Sequence, residues 1–235
     1  MVINKHEKLM LVNIGVYSWP MTTENRRGRP PADESPASTD DILAAALRVF
    51  SERGFDGTSV AAINRELGVS HNLIHQRFGS KEELWFAMAD WAFGQIEGGL
   101  VGVDPDTDPD PLTAIRRTIV RFLELHAAHP EILRLVTVEG AAPSDRLTYL
   151  WEAHIGPTVT KVLSPLKVLV DAGVLTTTDI RSLHFLVAHG ATAPYSLVPL
   201  AEQLDPTDPR SPAAVRKHAE FVADLVVAGL KAREA

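Results

Sequence analysis

The sequence predicts an all-α protein, with an N-terminal three-helix helix-turn-helix domain followed by a larger C-terminal helical domain. Three observations predict it. Apolar residues recur three and four apart along most of the chain, which is the spacing of one helix face. No segment shows sustained alternation of strand-forming and polar residues. Proline-bearing stretches, VGVDPDTDPDP at 101–111 and DPTDPRSP at 205–212, interrupt the pattern where no helix can continue. These breaks delimit a disordered leader and basic arm at 1–38, a first helical domain at 39–98 and a second at 111–235.

A chain of 235 residues with 45% hydrophobic content can bury a substantial core. The lack of cysteine excludes disulfides, thiol redox sensing and cysteine zinc sites. With a net charge of −7, any affinity for nucleic acid must come from a local patch. No apolar run reaches the length of a membrane span. Leu9–Trp19, behind Lys5 and Lys8, is built like the core of a signal peptide but lacks a small-residue cleavage site. It reads as upstream sequence, with Met21 as the natural start and the cytoplasm as the expected location.

Residues 22–38 (TTENRRGRPPADESPAS) are polar and proline-bearing. Within them, Arg26-Arg27-Gly28-Arg29-Pro30-Pro31 resembles the core of an AT-hook. Such an arm can lay Arg27 and Arg29 into a narrow A·T minor groove, or it is a basic tail with loose phosphate contacts. The first helix starts at Thr39, with Asp40 and Asp41 favourably placed in its first turn. Ile42, Leu43, Ala46, Leu47 and Phe50 form its apolar face, and Gly54 ends it. Thr58 or Ser59 caps a short helix carrying Val60, Ile63 and Leu67; Gly68 stops it, and Ser70 caps the next. Two short helices across so tight a glycine turn form the helix-turn-helix pattern.

The third helix is expected over Ser70–Phe78. Ile74 and Phe78, four apart, share a core face, so Asn72 and Gln76 point the opposite way, flanked by Leu73 and His75. That outward face has the chemistry of major-groove readout. Asn and Gln can make paired bonds to adenine, Leu can meet a thymine methyl, and His can reach a phosphate or guanine. Lys81, opening the fourth helix (Lys81–Phe93), can meet backbone phosphate. The plain alternative is a solvated polar face.

The run from Ile42 to Trp85 resembles the DNA-binding domain of the TetR family of transcriptional regulators from end to end. It does so at Ala45, Phe50, Gly54, Thr58, Ile63, Gly68, Val69, Ser70, Phe78, Ser80, Lys81 and Leu84. The resemblance implies that Thr58 and Lys81 hold phosphates while residues 71–76 lie in the groove. Two departures leave the base preference open. His71-Asn72-Leu73 stands where many members carry Lys-Gly-Thr, and His75 where they carry tyrosine.

The resemblance also implies that the later helices dimerise and sense a ligand. HPEILRLVTVEG (129–140) and AHGATAPYSLVPL (188–200) look like segments of one actinobacterial-type subgroup. Ile115, Ile119, Phe122, Leu123 and Leu125 mark a helix, and Pro130 restarts the chain after His129. Pro157 and Pro165 interrupt the helical stretch Asp145–Ala172; each removes a backbone donor, so kinks and gaps are expected. Gaps between helices make pockets. The candidate ligand groups are His126, Glu139, Tyr149, Trp151, His154, His184, His189 and Tyr195. The alternative makes the aromatics core and the histidines satisfied or exposed. His71/His75 and His126/His129 have spacings that can share a metal, but the first pair belongs to the reading helix and the second straddles a helix end. No metal or cofactor is expected.

Ile180, Leu183, Val187 and Ala191 form one long apolar face, and Val215, Phe221, Val222, Leu225, Val226 and Leu230 another. By resemblance these two helices pair with their symmetry mates in a homodimer; otherwise both faces are intramolecular core. The implied function is ligand-responsive regulation, a repressor released from double-stranded palindromic operator DNA by a small, mostly apolar effector. The fourth helix, bearing Trp85, Met88 and Trp91, is the expected lever. An activator of the same type, or a DNA-architectural protein without effector, is the rival. No nucleophile–base pair or phosphate-cradling glycine loop argues for an enzyme.

Overall fold

Capping residues set where the helices begin. In the computed structural model, which describes residues 37–70, 72–100 and 110–234, Ser38 caps α1 (Thr39–Arg53). Its Oγ accepts from the Asp41 N–H at 3.1 Å, and the Asp41 carboxylate accepts from the Ser38 N–H at 3.0 Å. Ser59 caps α2 (Val60–Leu67), and Gly68, left-handed at φ +67°, turns the chain sharply out of it. α3 (Leu73–Phe78) starts later than the sequence suggests, because a separate turn closed by the Leu73 N–H on the Ser70 carbonyl precedes it. α4 runs from Lys81 past Phe93 to Leu100.

Asp110 caps α5 (Pro111–Ala128), and Pro130 opens α6 (Pro130–Glu139) as expected. α7 (Asp145–Leu150) passes directly into a π-turn, Trp151–Ile155, and then α8 (Gly156–Val162). Pro157 has no N–H to offer the preceding turn; the widened turn lets the Gly156 N–H reach the Trp151 carbonyl instead. Pro165 lies in a 3₁₀ turn (Ser164–Leu166) before α9 (Lys167–Asp171). The two expected irregularities therefore fall at the two prolines. α10 (Thr177–Phe185) runs into a second π-turn, Leu186–Gly190, followed by α11 (Ala193–Ser196), α12 (Val198–Leu204) and α13 (Pro212–Glu234). The described residues contain no strand, and no helix among them is long and apolar enough to cross a membrane.

Two cores form. The first gathers Ile42, Phe50, Ile63, Ile74, Trp85 and Met88 from α1–α4, and extends to Leu125, Ile132, Leu135 and Leu150. The second joins Ile115, Ile119 and Leu123 of α5 to Val215, Ala219, Ala223 and Val226 of α13, which lies along it. Each fully buried large side chain contributes about 1.5–3 kcal/mol. The first core does not stop where the sequence punctuation places the domain boundary. α6 packs on α1, so the N-terminal helices rest directly on the C-terminal half.

Candidate functional site

The short α3 displays its residues as helical geometry requires. Ile74 is completely buried, while Asn72, His75, Gln76 and Arg77 are exposed and Leu73 is half-buried. Neither Asn72 nor Gln76 uses its side-chain amide in a hydrogen bond among the described residues, so both carry free donor and acceptor pairs outward. Ser70 is exposed at the turn before them. The His75 ring turns back, its Nδ1–H donating to the Gly79 carbonyl at 2.9 Å. A neutral ring in that position offers only an acceptor outward; the protonated ring offers a donor that a phosphate could accept. His71, Arg27 and Arg29 lie outside the described residues.

Thr58 and Lys81 stand differently from the expectation. Thr58 is 3% exposed, and its hydroxyl donates to the Gly54 carbonyl at 2.7 Å, because the chain between α1 and α2 folds over it. Its side chain does not face outward to a phosphate. The Lys81 ammonium donates to the carbonyls of Phe55 and Thr58 at 2.9 and 3.0 Å and lies over the Phe55 ring, leaving one N–H uncommitted. It pins the loop between α1 and α2 onto the start of α4. Arg48 of α1 pairs with Glu66 of α2, and Arg77 of α3 donates to the Ala37 carbonyl, which ties the reading helix to the chain entering α1.

The structure brings together three of the eight expected ligand groups. Trp151, His184 and His189 line one cavity of about 570 Å³ between α6, α7–α8 and α10. Val159 and His184 also line a narrower apolar cleft of about 50 Å³ that reaches Ile115, Ile119 and Phe122 of α5. The cavity of about 570 Å³ falls within the size range of small-molecule sites; the cleft does not. His184 and His189 sit with ring centroids 6.3 Å apart, and burial pushes both below the usual histidine value.

The other five are placed elsewhere. His126 is buried in α5, its Nδ1 donating to the Phe122 carbonyl at 2.8 Å; burial pushes it down to about 4. Tyr195 is buried beside His218 of α13, away from the cavity; its hydroxyl lacks a partner, and burial pushes it up to about 12. Tyr149 and His154 converge instead on α4. The Tyr149 hydroxyl donates to Asp90, which raises the phenol to about 12. His154 places Nε2 at 3.0 Å from the same carboxylate and Nδ1 at 3.4 Å from Glu97, with its ring stacked on Phe93. Glu139 is paired with Arg146 at 3.0 Å, and that guanidinium stacks over Phe55 and stands near Trp85.

Sequence reasoning missed Arg146, Asp90 and Arg181. Arg181 is three residues before His184 on α10 and lines the same cavity, so helical spacing alone could have found it. Asp90 carries no local signal, because its partners Tyr149 and His154 are distant in sequence. Arg146 lies seven residues from Glu139, across the turn between α6 and α7, and only the rings it covers, Phe55 and Trp85, are distant.

A helix-turn-helix with α3 exposed, seated on a larger helical body, defines the class of helix-turn-helix DNA-binding regulators. Residues 42–88 match the model of bacterial regulatory proteins of the tetR family, and residues 111–226 match that of the tetracyclin repressor-like C-terminal domain. The chain belongs to the tetR family. It is 26% identical over 116 residues to the HTH-type transcriptional repressor NicS of Pseudomonas putida, covering 49% of this chain and 54% of that protein. The chain thus spans about half the length of NicS. It is 26% identical over 192 residues to the HTH-type transcriptional regulator RutR of Escherichia coli, covering 82% of this chain and 90% of RutR. Among solved structures, the hemolysin II transcriptional regulator HlyIIR superposes with a TM-score of 0.56 at 22% identity, covering 70% of this chain and 93% of that one. AibR, solved with isovaleryl coenzyme A and operator DNA, superposes with a TM-score of 0.53 at 14% identity, covering 79% and 96%.

Proposed function

We propose that this chain is a homodimeric, cytoplasmic repressor. Its paired α3 helices read adjacent major-groove half-sites of a palindromic operator, and it lets go when a small, largely apolar molecule enters the cavity beside α10. The observation that carries the DNA reading is the pair of free amides, Asn72 and Gln76, presented opposite the buried Ile74. Ser70, Leu73 and His75 border them, and Lys81 retains one N–H for a phosphate.

An apolar surface supports the dimer. Phe185 and Leu186 beside α10, and Phe221 and Leu225 on α13, are 57–61% exposed. Leu186 and Leu225 flank one groove, and Arg233 of α13 pairs with Asp179 of α10 across it. Large side chains clustered in this way mark an interaction surface. The inward side of α13, with Val215, Val226 and Leu230, is intramolecular core, which leaves its outward side, with Phe221 and Leu225, for the partner subunit in this reading. A twofold axis through this band gives two reading helices, which a palindrome with half-sites about 34 Å apart would match. AibR, solved with isovaleryl coenzyme A and operator DNA, supports by fold alone the reading that an effector acts on the DNA-bound state.

The lever is α4. Its first half carries Trp85 in the core under α1, and its second half is held by Tyr149 and His154 through Asp90 and Glu97. A ligand that prefers one setting of that junction shifts the spacing of the reading helices. Footprinting the full-length protein on the DNA flanking its own gene tests the reading. A protected palindrome released by a compound supports it. Uniform binding to scrambled DNA, or a monomer on DNA, refutes it.

A further inference from the structure

We propose that the cavity beside α10 is built for an organic monocarboxylate, its apolar body filling the cavity and its carboxylate held by Arg181, His184 and His189. The proposal rests on the effector reading above and names the chemistry of that effector.

Three observations carry it. First, the charge of the lining has one sign. Its ionisable side chains are Arg181, His184 and His189, all from α10 and the π-turn that follows it. The walls from α6, α7, the first π-turn and α8 supply groups such as Val136, Leu147, Trp151 and Ile155, and no carboxylate. Behind α10, His126 of α5 is close enough to His189 to interact with it, and His129 lies next to His126; neither brings a negative charge.

Second, these groups have no ionic or hydrogen-bonding partner among the described residues. Arg181, whose side chain is exposed at the mouth of the cavity, is in no ion pair among the described residues, where most guanidinium groups are paired or bonded. His184 and His189 touch each other and Phe185 through their rings but make no hydrogen bond among the described residues. One fixed positive charge and two imidazoles, all unengaged, line a largely apolar space. A carboxylate accepts two parallel N–H bonds from a guanidinium, and its remaining lone pairs suit the imidazole N–H groups.

Third, the proton balance fits. Burial holds both histidines below their ordinary value, so they are neutral at neutral pH. An arriving anion favours the imidazolium, so binding draws a proton from solvent onto one of the rings. Affinity is therefore greatest at acid pH and falls as pH rises through the raised value of the bound state. A second negative charge on the ligand would outnumber the single fixed cation. An ammonium would be repelled by it, and a neutral amide would leave the guanidinium facing an apolar body.

The test uses the full-length protein and six probes: octanoate, octanamide and octylamine, with 4-phenylbutyrate, its primary amide and its amine. Binding is read by tryptophan fluorescence, to which Trp151 in the cavity wall contributes, and by calorimetry in two buffers of different ionisation enthalpy. At least one carboxylate is expected to bind about tenfold tighter than its amide and amine. Binding should be accompanied by net proton uptake and weaken between about pH 6 and pH 8. Arg181→Met, with helical content verified by circular dichroism, should bring carboxylate and amide within about twofold of each other, and Arg181→Lys should restore the preference in part. Changing both His184→Gln and His189→Gln should abolish the proton uptake. An amide or amine that binds as well as its acid, a preference that survives Arg181→Met, or no saturable binding of any probe up to about 10 mM overturns the proposal. Operator release is scored separately. DNA released by an amide alone keeps the regulator and discards the carboxylate site; a bound carboxylate that leaves DNA in place does the reverse.

Discussion

Replacing Arg146 with methionine removes a cation from the C-terminal half that packs on Phe55 of the N-terminal half. Its Nε stands 3.0 Å from Glu139 Oε2; the side chains are 21% and 4% exposed, and the second Glu139 oxygen is buried without a partner. Its guanidinium lies 4.1 Å from the Phe55 ring centroid and 5.9 Å from that of Trp85. Arg146→Met keeps the apolar stem and leaves the Glu139 carboxylate buried and uncompensated. Breaking a fully buried pair costs about 3–5 kcal/mol; since Arg146 retains some contact with water, the lower end, about 3 kcal/mol, applies. The lost cation–π contact adds about 0.5–1 kcal/mol, which a methionine sulfur against the same rings largely offsets. At about 2–4 °C per kcal/mol for a chain of this size, the melting temperature should fall by about 6–12 °C. Adding Glu139→Gln to the variant removes the stranded charge and should recover most of the loss, to within about 1 kcal/mol of the parent. Urea unfolding at one fixed protein concentration measures the cycle, since an oligomer's stability depends on concentration. A single variant that loses less than about 1 kcal/mol, or a double variant no more stable than Arg146→Met, refutes the reasoning.

Asn72→Ala and Gln76→Ala should each weaken binding to the footprinted operator by about 1–3 kcal/mol, or about 5- to 150-fold, with little change on scrambled DNA; fluorescence anisotropy on both duplexes checks this. Phe221→Glu, placing a charge in the exposed apolar band, should convert a dimer to monomers in light scattering, whereas Arg216→Glu, five residues earlier on α13 and also exposed, should not. His126 titrates at about 4 in the folded chain against 6.5 when unfolded, so the unfolded state takes up the proton first. Stability should then fall as pH drops from about 6.5 to about 4 and change no further from this group below that; His126→Leu should flatten that slope of melting temperature against pH.

The N-terminal half was legible because its signals are local. Ser59, Gly68, Ile74 and Phe78 act within one or two turns of themselves, and caps, glycine turn and outward face all follow from spacing. The start of α3 was misplaced because Ser70 closes a turn of its own, a backbone choice that composition does not encode. Thr58 was expected at a phosphate, since nothing local tells a loop threonine that its hydroxyl will bond back to the Gly54 carbonyl. The C-terminal half was legible at Pro157 and Pro165, whose missing donors act locally. It was opaque in its polar groups. Tyr149 and His154 look like cavity candidates by residue type, yet their partners Asp90 and Glu97 lie more than fifty residues away and claim them for the α4 junction.

That opacity bears on how the cavity could reach the DNA. The π-turn at Trp151–Ile155 presents two opposed faces: Trp151 and Ile155 to the cavity, and His154 to Asp90 and Glu97 of α4. A neutral imidazole has one N–H and can donate to only one of those carboxylates, so the junction has two hydrogen-bonding states that differ in which ring nitrogen carries that proton. A π-turn, already one residue wider than the helix on either side, can relax toward α-helical spacing and carry His154 with it. A tenfold change in operator affinity needs only about 1.4 kcal/mol of differential binding, and a hundredfold change about 2.8 kcal/mol. One charge-assisted hydrogen bond is worth about 1.5–3 kcal/mol. Loss or gain of the His154 contact alone is therefore of the right size to couple a ligand against Trp151 to α4, and no larger rearrangement of the C-terminal helices is required.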